Sequence, residues 1–88
     1  MSQIVSLTRS LAREVARFRI TVNCLCAGFV ETAMTASLPE KARAEMLEAI
    51  PLGRAGRAEE IAAAAEWLCS DGAAYITGTV LGVDGGLT

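Results

Sequence analysis

Arg19-Ile20-Thr21-Val22-Asn23-Cys24-Leu25-Cys26-Ala27-Gly28-Phe29-Val30-Glu31-Thr32-Ala33-Met34 decides how the chain is read. Its first half is apolar and rich in β-branched residues. That pattern predicts a strand from Ile20 to about Cys26, buried on both faces. Ala27-Gly28 then gives a small pair at which the backbone can turn and come close to a neighbour. Residues 27–37 read as loop. In an open parallel α/β sheet, ligands bind just beyond the carboxyl ends of the strands. Cys26 to Met34 would occupy that place, so any chemistry is expected there.

On the N-terminal side, residues 3–17 predict a helix. Ile4, Leu7, Leu11 and Val15 share one stripe, and Arg9, Arg13, Glu14 and Arg17 the opposite face. Phe18 and Arg19 close it. On the C-terminal side, Ser37-Leu38-Pro39-Glu40 reads as a helix start, with Ser37 as cap and Glu40 at capping-box spacing. The helix should run from about 38 to 49, with Ala42, Met46, Leu47 and Ile50 on one side. Pro51 to Arg57 is a turn-rich connection. A further helix is expected from about 58 to 70, with Glu59 and Glu60 favoured in its first turn by the helix dipole. Gly72 is expected as its left-handed cap. A second strand, Thr79–Val83, ends at Asp84-Gly85-Gly86. Two strands joined by helices imply a parallel pair with a right-handed crossover, and so an α/β fold.

Composition narrows the function. The chain has 88 residues, enough for one small domain. A chain of that size buries roughly 60–65% of its unfolded surface. Yet 52% of its residues are hydrophobic, more than one small unit easily covers. Oligomerisation or membership of a larger body is therefore expected. Net charge is −2, with no basic block for nucleic acid. No apolar run is long enough for a bilayer, and no signal peptide is visible. Three Cys without a disulfide-like pattern fit a reducing cytosol, so a cytoplasmic location is expected. Cys24 and Cys26 fall on the same side of a strand. They read as small buried thiols or as part of a metal or redox site. With no His and only Cys69 besides, no metal site is expected.

Four motifs resemble one family. Thr21-Val22-Asn23 with Gly28-Phe29-Val30-Glu31-Thr32-Ala33-Met34 resembles the segment after the sixth strand of short-chain dehydrogenases/reductases. Pro51-Leu52-Gly53-Arg54 with Gly56, Glu59, Glu60 and Ile61 is similar to their downstream helix signature. Tyr75-Ile76-Thr77-Gly78 with Val83-Asp84-Gly85-Gly86 resembles their C-terminal ending. Leu7-Thr8-Arg9-Ser10-Leu11-Ala12 resembles the later part of the helix that bears the catalytic pair. Within the family, the 3-oxoacyl-[acyl-carrier-protein] reductase subgroup is most similar.

The resemblance implies a C-terminal segment, residues 1–88, of a Rossmann-like doubly wound parallel sheet. It comprises the last two strands and their flanking helices, without the dinucleotide-binding half. It implies hydride transfer between a carbonyl or alcohol and NADP or NAD, a small carbonyl or acyl thioester substrate, and a place in fatty acid biosynthesis. The family's catalytic Lys would align with Met1, and its catalytic Tyr would precede it. No catalytic residue is therefore assigned, and the chain alone is expected to be inactive. Tyr75 is read as a packing residue.

The resemblance assigns Ala27, Gly28, Val30 and Thr32 to the nicotinamide end of the cofactor. Ala27 stands where the family usually has Pro. Val30 would meet the carboxamide through its backbone and Thr32 through its hydroxyl; alternatively, Thr32 only starts the next turn. Met34, Leu38, Met46 and Ile50, with Leu47, match the mobile cover over the substrate, or are ordinary core. The remaining alternative is a non-catalytic assembly module. It would pair with itself or with a related full-length subunit through the first helix, the last helix and strand, or an open strand edge.

Overall fold

The computed structural model describes residues 2–88. Met1, the position aligned with the family's lysine, lies outside them. Two two-stranded sheets form among these residues. β1 (Cys24–Ala27) pairs with β4 (Val80–Val83), and β2 (Val30–Glu31) with β3 (Gly56–Arg57). The order of elements is mixed α/β, that of a piece of a Rossmann-like domain.

The chain divides into two compact units. The first comprises the chain up to Leu25 together with Ala65–Leu81. Here α1 (Ser2–Val15) runs into a 3₁₀ turn, Ala16–Phe18. Arg19 stops it in the left-handed region, φ 62°, with its N–H donated to the Ala16 carbonyl at 2.9 Å. The buried residues of α1 are Thr8 and Ala12, one i,i+4 ridge. Thr8 is satisfied because its hydroxyl donates to the Ile4 carbonyl at 2.7 Å. Ala12 is small enough for Gly78 to lie against it: a Cβ built on Gly78 would sit 3.5 Å from the Ala12 methyl. The apolar stripe of Ile4, Leu7 and Leu11 is instead exposed, Leu7 by 65%.

The first strand is shorter than its sequence implies. β1 begins at Cys24, not Ile20, and Cys24, Leu25 and Cys26 are half-buried rather than buried on both faces. The cause of the late start is visible in the bonding. Val22 and Asn23 are held to residues 76–79 partly by side chains. The Val22 N–H donates to Thr77 Oγ1 at 3.0 Å, and Gly78 N–H to the Val22 carbonyl at 2.7 Å. Asn23 donates from Nδ2 to the Ile76 carbonyl at 3.3 Å and accepts the Thr79 N–H at 3.1 Å. Side-chain rungs are interleaved here with single backbone bonds. Cys24 N–H then donates to the Thr79 carbonyl. Partial burial follows because, among the described residues, β1 has β4 as its single neighbour.

The same unit corrects two further expectations. The helix α4 (Ala58–Leu68) ends three residues before Asp71, and Gly72 is not in the left-handed region. Ser70 closes the helix instead, its hydroxyl donating to the Trp67 carbonyl, and Asp71–Ala73 makes a 3₁₀ turn. Tyr75 does not pack: it is fully exposed, while Ala73 beside it is buried.

The second unit comprises Cys26–Ala64 and Gly82–Thr88. Gly28 N–H donates to the Val83 carbonyl at 3.1 Å. β2 and β3 are parallel, with Val30 opposite Gly56 and Glu31 opposite Arg57. Neither strand is expected from the sequence, where residues 27–37 read as loop and 51–57 as turn. α2 (Ala33–Ala36) lies within that expected loop. The third helix, α3 (Glu40–Ala49), starts two residues later than expected and has Pro39, not Ser37, at its N-cap. Ser37 donates instead to the Met34 carbonyl at 2.7 Å. At the start of α4, Glu60 reaches back to accept the Arg57 N–H at 2.9 Å, the Glu half of a capping box. Phe29 and Ile50 are the buried hydrophobic residues of this unit. Gly85 explains the burial of Ile50. It sits at φ 65°, and a Cβ there would fall 2.8 Å from Ile50 Cγ2.

Candidate functional site

The residues expected to meet a cofactor lie along one continuous path through the second unit. Ala27 is exposed at the end of β1, and Val30 is half-buried in β2. Between them Gly28 lies so close to Asp84 that a Cβ would stand 2.7 Å from the Asp84 Cβ. The close approach that requires glycine is therefore made to the chain's own C-terminal segment.

Thr32 is the N-cap of α2. Its Oγ1 accepts the Thr35 N–H at 3.2 Å, and its own N–H donates to Thr35 Oγ1 at 2.7 Å. This reciprocal pair is a capping box built from two threonines. Thr35 Oγ1 also lies 3.0 Å from the Val30 carbonyl, as donor. Thr32 thus caps the start of α2. A hydroxyl has one proton to give and two lone pairs. Thr32 Oγ1 also lies 3.5 Å from Thr35 Oγ1, where either hydroxyl can donate. The Val30 carbonyl has a second lone pair. The Thr32 hydroxyl and the Val30 carbonyl thus both meet Thr35. Thr35 was missed in the sequence, although the Thr-x-x-Thr spacing from Thr32 carries the signal.

The expected cover residues are scattered in environment. Met34 is 80% exposed on α2 and Met46 41% exposed on α3. Leu38 is half-buried before α3. Ile50 is 3% exposed, packed in the core beside Gly85.

Charged groups fix the surrounding segments. Arg43 on α3 forms a two-pronged pair with Glu31 of β2, Nη1 to Oε1 at 3.1 Å and Nη2 to Oε2 at 2.5 Å. Its guanidinium also lies 5.9 Å from the centre of the Phe29 ring. The Glu31 hydrogen bond raises the Arg43 pKa. Arg54 makes a second fork, to Glu60 at 2.7 and 2.9 Å. That fork, with the Arg57 N–H, lowers Glu60 to about 2. Asp84 is lowered first by the Thr88 hydroxyl and then by Gly86 N–H. None of these charge partners was identified from the sequence.

A half-open cavity of about 490 Å³ lies in the same unit, walled by Phe29, Leu52, Ile61 and Val83. Arg54, Glu60 and Asp84 also border it. It does not include Ala27, Gly28, Val30 or Thr32. Among the described residues there is no cluster of three or more His, Cys, Asp or Glu able to hold a metal. No helix there is long and apolar enough to cross a membrane.

Comparison with known proteins adds the last observation. The family profile described as enoyl-(acyl carrier protein) reductase matches residues 2–88. The 3-oxoacyl-[acyl-carrier-protein] reductase of Chlamydia trachomatis serovar D is 50% identical over 84 residues, 96% of this chain and 34% of its own length. That of Pseudomonas aeruginosa is 55% identical over 80 residues, 91% of this chain and 32% of its own. That of Escherichia coli K12 is 51% identical over 84 residues, 96% and 34% respectively. The chain spans about a third of the length of these curated relatives.

Proposed function

The chain belongs to the short-chain dehydrogenase/reductase family, most similar to its 3-oxoacyl-[acyl-carrier-protein] reductases, and from that premise we propose that it serves a carbonyl reduction with NADP or NAD. It supplies the nicotinamide end of the cofactor site and part of the cover over an acyl thioester. The observation that carries this is the Thr32–Thr35 box. It ties the exposed Thr32 hydroxyl and the Val30 carbonyl to one residue, Thr35. A carboxamide has one acceptor oxygen and two donor hydrogens, so it can use both. The bound dihydronicotinamide would supply the hydride. The chain's own part is to orient it and, through Met34, Leu38 and Met46, to keep water away. Ile50 serves from beneath, as packing.

These 88 residues offer no general acid matched to the reaction. Tyr75 is the one tyrosine and has no Lys four residues on. Turnover accordingly needs the remaining parts of a reductase domain, in the same chain or a partner. The test is a chimera in which this chain replaces the matching third of the Escherichia coli relative. Thr32→Ser should reduce acetoacetyl-CoA like the parent chimera. Thr32→Val should raise KM for NADPH or NADH several-fold, while KM for the thioester stays put. Equal cofactor KM in both variants would remove Thr32 from the site.

A further inference from the structure

α3 is a ten-residue helix with no buried residue. Most helical stability in proteins comes from packing an apolar face. Within α3 that support is thin, since Met46 is 41% exposed and Leu47 half-buried, and the buried Ile50 comes only at its C-cap. Yet it carries one arginine whose fork is fully engaged by Glu31, a residue of the two-residue strand β2. The same guanidinium lies over Phe29, one of the buried residues of the unit. Glu31 is flanked by Val30 and Thr32, and β2 is itself fixed to β3. One side of the fork therefore sits on a paired strand and the other on a helix with no buried residue.

We propose that Glu31–Arg43 is the latch that positions α3 on the β2 segment, a polar tether on an otherwise loosely packed helix. Glu31 and Arg43 are positioning residues, not catalytic ones. A helix held by packing stays put when salt rises. A helix held by an exposed ion pair loosens, because such pairs are screened. Arginine is required for the fork, since lysine offers only a point charge. That the latched helix covers an acyl substrate rests on the function proposed above; the latch itself does not.

The test needs neither cofactor nor turnover, so its failure and that of the reductase reading are separable. Hydrogen exchange of the peptide spanning residues 38–50 is followed by mass spectrometry in the 88-residue chain. At low salt, Glu31→Gln and Arg43→Gln should each speed exchange there by about two- to five-fold, as expected for loss of an exposed pair. Arg43→Lys should fall between these variants and the parent. About 1 M NaCl should speed the parent to the same degree and leave the Gln variants unchanged. Peptides from β4 and the second half of α4 should not respond. Unchanged exchange in both Gln variants would overturn the latch. A rise spread equally over every peptide would overturn it too, because the pair would then hold the whole fold rather than one helix.

Discussion

Gly28→Ala is the most exacting test of the packing described here. The glycine is not in the left-handed region, so an added methyl costs nothing in backbone conformation. Its cost is wholly steric. The new Cβ would lie 2.7 Å from the Asp84 Cβ, 2.9 Å from its Cα and 3.4 Å from its carbonyl oxygen. Carbon atoms normally rest about 3.5–4.0 Å apart, so the closest contact is short by about 0.8 Å. Neither Asp84 atom belongs to a flexible side-chain end that could swing aside. The backbone near β1 or β4 must move, which costs about 1–3 kcal/mol. The lower entropy of the unfolded alanine chain returns about 0.4–1 kcal/mol. Mid-range values, about 2 less about 0.7, leave a net loss of roughly 1.3 kcal/mol. With a urea slope near 1 kcal/mol/M for a chain this small, the midpoint should fall by about 1.3 M. Gly56→Ala is the control, because its nearest contact is the Phe29 carbonyl at an ordinary 3.7 Å. It should leave the midpoint unchanged or raise it slightly. If the two variants unfold together at the parent midpoint, the close packing of Gly28 on Asp84 is wrong.

Other substitutions follow from the same structure. Asn23→Ala removes a donor to the Ile76 carbonyl and an acceptor for Thr79 N–H. It should lower stability by about 1–3 kcal/mol in urea unfolding. Unchanged stability in Asn23→Ala would contradict both bonds. Glu60→Gln should alter how stability depends on pH. The folded carboxyl titrates at about 2 against an ordinary 4.5. A lowered folded pKa favours the charged form, so its contribution is complete above about 4.5 and is lost as pH falls towards 2. The parent should therefore lose stability across that window more steeply than Glu60→Gln. Parallel urea midpoints from pH 5 to 2 would contradict the Arg54–Glu60 fork. Asp84, lowered as well, gives both proteins a residual slope.

What could be read in the sequence was whatever repeats over several turns or carries a dense motif. α1, α3 and α4 declare themselves through periodic apolar residues, and β4 through Val80 to Val83. The two-residue ladder of Val30–Glu31 with Gly56–Arg57 cannot, because period-two alternation needs more residues than it has. Ser37 looked like a helix cap because Pro39 and Glu40 follow it. The structure uses Thr32 and Thr35 for a shorter helix upstream, and Ser37 turns back to Met34. Gly72 invited a left-handed cap that Ser70 makes unnecessary. The broad stripe of α1 was legible, but which part of it packs was not. Close approach to Gly78 selects the small Ala12 rather than Leu7 or Leu11. At the candidate site, the spacing of Gly28, Val30 and Thr32 was legible. The partners that hold it, Asp84, Thr35 and Arg43, stand on other elements or wait on α2, which the loop reading left out.

The function proposed for this chain is to contribute one end of a reductase site, with the general acid supplied by the rest of a reductase domain. The direct measurement is NADPH and NADH oxidation with acetoacetyl-CoA. It compares the purified 88-residue polypeptide, its mass verified, with the chimera carrying it in place of the matching third of the Escherichia coli relative. The account predicts turnover by the chimera and none above buffer by the polypeptide alone. Turnover by the polypeptide alone, or an inert chimera that is folded and binds cofactor, would contradict it.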